Sequence, residues 1–112
     1  MSFDPILSRL GFARKAKKIA VGFAASKDAL QKNSARLILI ASDISQKSEK
    51  EIKFFSKGEI PVGRTTFTTD EISKAIGLRG GIIAVLDQGF ADAILKQNPF
   101  GYTLKEDNTY AD

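Results

Sequence analysis

Five consecutive aliphatic residues stand at Leu37-Ile38-Leu39-Ile40-Ala41. The run does not alternate with polar residues, and a strand of this composition is typical of a sheet that is covered on both faces. A second run of the same kind, Ile82-Ile83-Ala84-Val85-Leu86, lies near the other end of the chain. Two doubly buried strands predict helices on both sides of one sheet.

Helices and shorter strands alternate around these two runs. Helix-start signals, glycine stops and apolar spacing predict helices over 5–16, 23–32 and 45–57, a short helix after a capping box at 68–71, and a last helix from 90 to about 98. Short strands are predicted at 19–21 and 60–62. In the second helix we expect Ala25, Ala29 and Leu30 to face inward. The order predicts an α/β fold, a three-layer α/β/α sandwich around a four-stranded mixed sheet.

Length and composition predict one compact domain. A chain of 112 residues with 43% hydrophobic content is long enough to bury one core. We predict that this domain covers residues 1–98. Residues 99–112 are polar and without periodicity, so we expect a loosely ordered C-terminal tail, with an edge strand over 102–104 as the alternative.

The composition argues against most classes of enzyme and against a membrane protein. The chain has no cysteine and no histidine, which removes thiol chemistry, thiolate metal sites and the commonest general base. We therefore expect no catalytic residue, no metal and no cofactor, and interpret Asp43, Asp87 and Asp92 as helix caps or solvated groups. Since no apolar run of membrane length and no signal-peptide pattern is present, we expect a cytoplasmic protein with no membrane partner. The sequence has no long apolar stripe that would indicate self-association, so we expect a monomer.

Positive charge is concentrated in the first third of the chain. Residues 1–36 contain eight cationic and two acidic residues, a net charge of +6, whereas the remainder contains nine and eleven, a net charge of −2. A basic surface on an otherwise acidic protein suits a phosphate-backbone partner, because each neutralised phosphate releases condensed counterions. A solvated face would explain the same distribution.

One junction in this basic region has the form of an anion site. The predicted strand 19–21 is followed by Gly22 and then by a helix, so backbone N–H groups and the positive end of the helix dipole would point outward. A second glycine-rich segment, Gly77-Leu78-Arg79-Gly80-Gly81, follows a helix and precedes a strand. This order differs from the strand-glycine-helix order of dinucleotide-binding loops.

Five segments in register resemble the ribosomal protein L7Ae and L30e family, and within it the bacterial YlxQ-like members. They are LGFARKAKKIAVG (10–22), ARLILIASD (35–43), IPV (60–62), AIG (75–77) and DQGFA (87–91). The resemblance spans about residues 6–96. It implies the same α/β/α sandwich, and it implies binding to kink-turn RNA, a duplex bent sharply beside sheared G·A pairs, with ribosomal RNA as the expected target and ribosomal or assembly proteins as further partners.

The resemblance also implies where the RNA lies, across the start of the second helix and the loop before the last strand. The corresponding positions are Gly22, Phe23, Ala24, Ala25, Lys27, Leu78, Arg79 and Gly80. We expect a surrounding positive field from Lys17, Lys18, Lys32 and Arg36.

At two places the sequence departs from the family pattern. Archaeal-type members carry basic residues just before the glycine and asparagine or glutamate just after it, whereas this chain has Ala20-Val21 and Ala24-Ala25. We therefore expect weakened base-specific contacts beside intact backbone contacts. The alternative is a protein-interaction module in which Phe23 and Leu78 form an apolar patch for a ribosomal or RNA-processing partner.

Overall fold

The protein alternates helices and strands along the chain, as the sequence predicted. The computed structural model describes residues 4–100. Within them the elements are α1 (Pro5–Lys15), β1 (Ile19–Val21), α2 (Phe23–Gln31), β2 (Leu37–Ile40), α3 (Gln46–Ser56), β3 (Val62–Arg64), α4 (Thr69–Ile76), β4 (Ile82–Val85) and α5 (Gln88–Leu95).

The four strands form one mixed sheet in the order β1-β4-β2-β3. Strand β4 runs antiparallel to both β1 and β2, whereas β2 and β3 are parallel. The two long aliphatic runs therefore occupy the two central positions of the sheet. This arrangement confirms the predicted fold class.

Each central strand contributes to a core on both faces of the sheet. Leu37 and Leu39 of β2 pack with α1, α4 and α5, while Ile38 and Ile40 pack with α2 and α3. All four side chains are fully buried. Because successive side chains of a strand point to opposite faces, an unbroken aliphatic run is what a sheet between two helical layers requires.

The predicted helix caps are present. Asp4 accepts hydrogen bonds from the N–H groups of Ile6 and Leu7 at the start of α1, and Asp87 accepts one from the N–H of Phe90. Thr68 and Glu71 form the capping box of α4. These bonds satisfy N–H groups that have no partner inside their helices.

The second helix differs from its prediction at one inward position. Ala25, predicted to face inward, is exposed, and the fully buried position is Ser26. The Ser26 hydroxyl donates a hydrogen bond to the backbone carbonyl of Ile82 at 3.4 Å. Ala29 is buried and Leu30 packs against the same core, as predicted. A serine can be buried at position 26 because its hydroxyl is hydrogen-bonded.

Strand β3 begins two residues later than the sequence predicted. The pairing joins Ile38 with Val62 and Ile40 with Arg64. Pro61 has no N–H to donate, and only its carbonyl contributes, by accepting the N–H of Ile38 at 3.0 Å. The polar Arg64 ends the strand, and its guanidinium donates hydrogen bonds to the side chain of Glu49 and to the carbonyls of Ala41 and Ser42.

The packed chain continues past the last helix to Phe100. Pro99 is buried, and a Cβ placed on Gly63 would come within 2.6 Å of the Phe100 ring. From residue 101 onward, the predicted loose tail and its alternative edge strand at 102–104 lie outside the described residues.

Candidate functional site

The start of α2 is an uncapped helix N-terminus held against β4. Gly22 is the N-cap residue, with φ 102° and ψ 166°, and it offers no side-chain cap to the first turn. This backbone conformation favours glycine. The Gly22 N–H donates to the carbonyl of Ile82 at 2.8 Å, which fixes the helix start to the first residue of β4. The N–H groups of the first turn have no side-chain cap at Gly22, and such groups can meet an anion.

The loop between α4 and β4 lies directly on this helix start. Gly77 ends α4 in the left-handed conformation, and the N–H of Gly80 donates to the Ser73 hydroxyl at 3.1 Å. A Cβ on Gly80 would stand 2.4 Å from Cγ1 of Val21 and 3.5 Å from the backbone nitrogen of Gly22. The two segments singled out in the sequence thus form one surface, which we call the glycine junction (residues 22–25 and 77–80).

Leu78 and Arg79 form the outer edge of the glycine junction. The Leu78 side chain is 42% exposed although it is large and apolar. Arg79 donates a hydrogen bond to Asp70 at 2.9 Å, and both groups lie at the surface. This bond, with the nearby charge of Lys74, lowers the pKa of Asp70. The junction thus presents one uncovered apolar side chain and a guanidinium whose charge is partly balanced.

The first turn of α2 offers backbone and small side chains. Ala24 and Ala25 are exposed, so they present only methyl groups. Phe23 is half-buried and packs against the core on the α2 and α3 side of the sheet. Of the two side chains predicted to form an apolar patch, Leu78 is therefore the more available.

Three of the predicted cationic residues lie at the other end of the sheet. The carbonyl of Lys18 accepts the N–H of Leu86, and the N–H of Arg36 donates to the carbonyl of Val85, whereas Gly22 is bonded to Ile82. Lys17, next to Lys18, lies at the same end. A four-residue strand spans roughly 10–13 Å, which exceeds the Debye length of about 8 Å at physiological salt. These cations do not line the glycine junction.

The two remaining predicted cations lie on α2 and have partners there. Lys27 Nζ sits 4.5 Å from the centroid of the Phe55 ring, a cation–π contact with α3. Lys32, just past the far end of the helix, pairs with Asp28 at 3.1 Å. Neither side chain reaches towards the loop at 77–80 in this arrangement.

Two other cations stand closer to the loop and were not among the predicted site residues. A terminal guanidinium nitrogen of Arg14 lies 3.9 Å from the position that a Cβ on Gly77 would take. Lys74, on the last turn of α4, borders the same surface depression as Leu78 and Arg79. Arg14 belongs to a basic run in the sequence, but its position beside Gly77 depends on the packing of α1 on α4.

The other acidic residues singled out in the sequence bind protein groups. Asp43 accepts hydrogen bonds from the N–H and hydroxyl of Thr69 at 2.9 and 2.7 Å, which lower its pKa. Asp92 accepts one from the amide of Gln88 at 2.8 Å. Within residues 4–100, no three acidic, histidine or cysteine side chains gather in a group that could hold a metal ion. In the same range, no helix is long and apolar enough to cross a bilayer.

A sequence model of one protein family matches almost the whole described chain. The family is described as the ribosomal protein L7Ae/L30e/S12e/Gadd45 family, and the match covers residues 4–95. No curated protein matches the chain.

Solved structures share the fold. A protein of unknown function from Bacillus halodurans has a TM-score of 0.76 and 26% sequence identity over 82% of this chain and 94% of its own. The Giardia lamblia 15.5kD RNA binding protein has a TM-score of 0.66 and 11% identity over 83% of this chain and 81% of its own. At that identity the Giardia protein is evidence for the fold alone.

Proposed function

The chain belongs to the ribosomal protein L7Ae/L30e/S12e/Gadd45 family, and we propose that it is an RNA-binding protein that recognises kink-turn-type structured RNA through its glycine junction. One observation carries the proposal. The loop that presents Leu78 is seated on the uncapped start of α2, with Gly80 against Val21. An apolar side chain and a helix N-terminus therefore face the same ligand.

Different parts of the glycine junction would contact different parts of a bent RNA. The uncapped N–H groups after Gly22 and the positive end of the α2 dipole would meet a phosphate, and the missing side chain at Gly22 lets the RNA backbone approach. Leu78 would cover a nucleotide or sugar that the bend leaves unstacked. Shape and backbone contacts of this kind distinguish bent from straight RNA without reading bases.

We expect the first turn of α2 to make few direct hydrogen bonds to bases. Ala24 and Ala25 have no hydrogen-bonding groups in their side chains, although both are exposed at the junction. Sheared G·A pairs would therefore be recognised mainly by the geometry that they impose on the backbone. The expected result is a modest preference for kinked RNA beside a strong dependence on salt.

The proposal includes the cellular setting. The protein would act as a YlxQ-like family member, as a monomer in the cytoplasm and without a catalytic step or cofactor, on ribosomal or related RNA in a ribonucleoprotein particle. Family membership supports a ribosomal or related RNA as the target, and the positive charge of residues 1–36 supports a phosphate-backbone partner.

The test is a titration with two RNAs at two salt concentrations. One is a kink-turn duplex, and the other is the same duplex with its G·A pairs replaced by Watson–Crick pairs. We expect tighter binding to the kinked duplex and a fall in affinity with salt of about 0.7 to 0.9 log units per log unit of salt for each neutralised phosphate. Equal binding to both duplexes would overturn kink-turn recognition, and no binding to either would overturn RNA binding.

A protein-interaction module is the second candidate, and one observation favours it. Phe54 on α3 is 76% exposed, and its ring packs edge-to-face against Phe55 with centroids 5.4 Å apart. Exposed aromatic side chains are typical of protein interfaces. A complex formed there would respond little to salt and would be lost in Phe54→Ala, whereas RNA binding at the glycine junction would not change in that variant.

A further inference from the structure

A groove with a volume of about 550 Å³ runs between α1 and α4. The two helices approach closely at its floor, where a Cβ on Gly11 would lie 3.0 Å from the backbone carbonyl of Ala75. Larger side chains of both helices, among them Phe12 and Lys74, belong to the lining. The volume lies within the roughly 300–1,000 Å³ of small-molecule sites, so the groove has room for a nucleotide.

The groove walls combine one aromatic ring with positive charge. Phe12 is 60% exposed. The charged residues of the lining are Arg14, Lys15 and Lys74, and no carboxylate lies among the described residues that form it. Proteins bind single-stranded nucleic acid in positively charged grooves that contain aromatic side chains, through base stacking and phosphate contacts.

Within residues 4–100, ion pairs neutralise little of this positive charge. Among residues 4–100, neither Arg14 nor Lys15 forms an ion pair. Lys74 is paired with Asp70 at 3.6 Å, but its side chain is 81% exposed. A long pair between exposed groups holds a lysine weakly. The three cations are therefore available to a ligand.

The groove is continuous with the glycine junction. Gly77 borders both the groove and the depression that Leu78 and Arg79 line. Arg14 lines the groove, and its guanidinium lies beside Gly77. An RNA strand that leaves Leu78 would meet Arg14 first and Phe12 next.

We infer that the α1–α4 groove binds a single-stranded RNA segment that flanks the kinked element, with one base stacked on Phe12 and phosphates on Arg14, Lys15 and Lys74. The inference rests on the proposed function, since it extends the same RNA onto a second surface. An acidic partner suits the groove because its lining is cationic, and a base suits Phe12 because every base has a flat apolar face.

The test compares a blunt kink-turn duplex with two versions that carry a four-nucleotide overhang at the 5′ or the 3′ end next to the kink. With the full chain, we expect one overhang to tighten binding by about 5- to 100-fold, the gain expected of one stacked base with its phosphate contacts. Phe12→Ala should abolish that gain and leave binding to the blunt duplex unchanged. Phe12→Tyr should keep the gain, because the ring can still stack.

A matched control uses the exposed aromatic side chain of α3. Phe54→Ala removes a phenyl ring of similar or greater exposure that lies outside the groove, so the overhang gain should persist. Lys15→Ala should reduce the salt dependence for the overhang RNA but not for the blunt duplex. Both variants are surface changes, and circular dichroism checks that each one is folded.

The outcomes separate this inference from the proposed function. If the blunt duplex binds but neither overhang adds affinity, or if Phe12→Ala keeps the gain, the inference is wrong and the proposed function stands. If kinked and straight blunt duplexes bind equally while the overhang gain depends on Phe12, the groove is confirmed and kink-turn recognition is wrong. If no RNA binds, both are wrong.

Discussion

Gly80 lies so close to Val21 that a Cβ at position 80 would stand 2.4 Å from Cγ1 of the valine. Val21 is the last residue of the edge strand β1, and Gly80 belongs to the loop that leads into β4. The absence of a side chain at position 80 thus allows the loop to sit on the start of α2. The close packing of this loop on Val21 therefore requires a glycine at position 80.

We expect Gly80→Ala to lower stability by about 1–3 kcal/mol, the usual cost of overpacking a close contact. A valine has little freedom to move its methyl groups aside, so the loop must shift instead. The same shift should weaken binding to kinked RNA. Urea unfolding and RNA titration measure the two effects. A Gly80→Ala protein with unchanged stability and affinity would contradict the contact.

A second substitution tests the cause of that loss. Val21→Ala removes the methyl group that the new Cβ would meet. The double variant should therefore recover stability relative to Gly80→Ala, with a coupling of about 0.5–3 kcal/mol between the two positions. If the stability losses of the two single variants simply add in the double variant, the strain in Gly80→Ala does not come from the contact with Val21.

Leu78→Asp should reduce the preference for kinked over Watson–Crick RNA. The change replaces an exposed apolar side chain by a negative charge at the glycine junction, so it removes the cover for an unstacked nucleotide and repels phosphate. The matched control is Phe54→Asp, an equivalent change on the surface of α3. The measurement is the ratio of the dissociation constants for the kinked and the Watson–Crick duplex. If Leu78→Asp has the same ratio as the wild type, this loop is not the recognition element.

Lys17→Ala combined with Lys18→Ala should weaken binding to all RNAs by the same small factor. Both lysines lie at the end of the sheet away from Gly22, at the level of Leu86. Their effect is that of a distant, screened charge, so the salt slope should fall by less than the roughly 0.7 to 0.9 expected for one direct phosphate contact. A large loss confined to kinked RNA would mean that the RNA extends along β1 to these residues.

Restoring polar side chains at the start of α2 should strengthen base reading. Ala24→Asn with Ala25→Glu places hydrogen-bonding groups at two exposed positions of the first turn, where a carboxylate also suits the helix dipole. We expect tighter binding to RNA with sheared G·A pairs by about 1–3 kcal/mol, as for a good bidentate contact to a base. Binding to the Watson–Crick duplex should not improve. No gain for either RNA would show that this turn does not face the bases.

Glu49→Gln should destabilise the protein at neutral pH and much less in acid. Glu49 on α3 binds Lys53 at 2.8 Å and Arg64 of β3 at 2.9 Å, and these bonds lower its pKa from the ordinary value of 4.5. The folded protein therefore holds this proton less tightly than the unfolded chain does. The stabilisation is present above pH 4.5 and is lost as the pH falls through the lower pKa of the folded state.

Urea unfolding at several pH values between 7 and 3 measures this effect. The difference between wild type and Glu49→Gln should shrink as the pH falls. Glu51→Gln is the control on the same helix, because Glu51 is exposed and forms no ion pair within residues 4–100. A difference that stays constant with pH would mean that the ion pairs do not stabilise the fold.

The sequence predicted the layers of the fold because the signals that specify them are local. An aliphatic run such as Leu37 to Ala41 indicates a strand covered on both faces, and Thr68 and Glu71 indicate a helix start. Both signals are independent of the rest of the chain. The errors arose where a neighbouring element overrides the local pattern. Ser26 is buried instead of Ala25, with its hydroxyl bonded to the carbonyl of Ile82 in β4, and β3 is displaced because it pairs in register with β2.

The sequence by itself determined the helices, the strands and the two glycine segments, and resemblance added the family. Only the tertiary structure decided which residues share a surface. Strand order brings Gly80 onto Val21 and carries Lys18 and Arg36 to the opposite end of the sheet, while the packing of α1 on α4 sets Arg14 beside Gly77. Periodicity reports which way a side chain faces within its own element, whereas the neighbours of that element depend on pairings between distant parts of the chain.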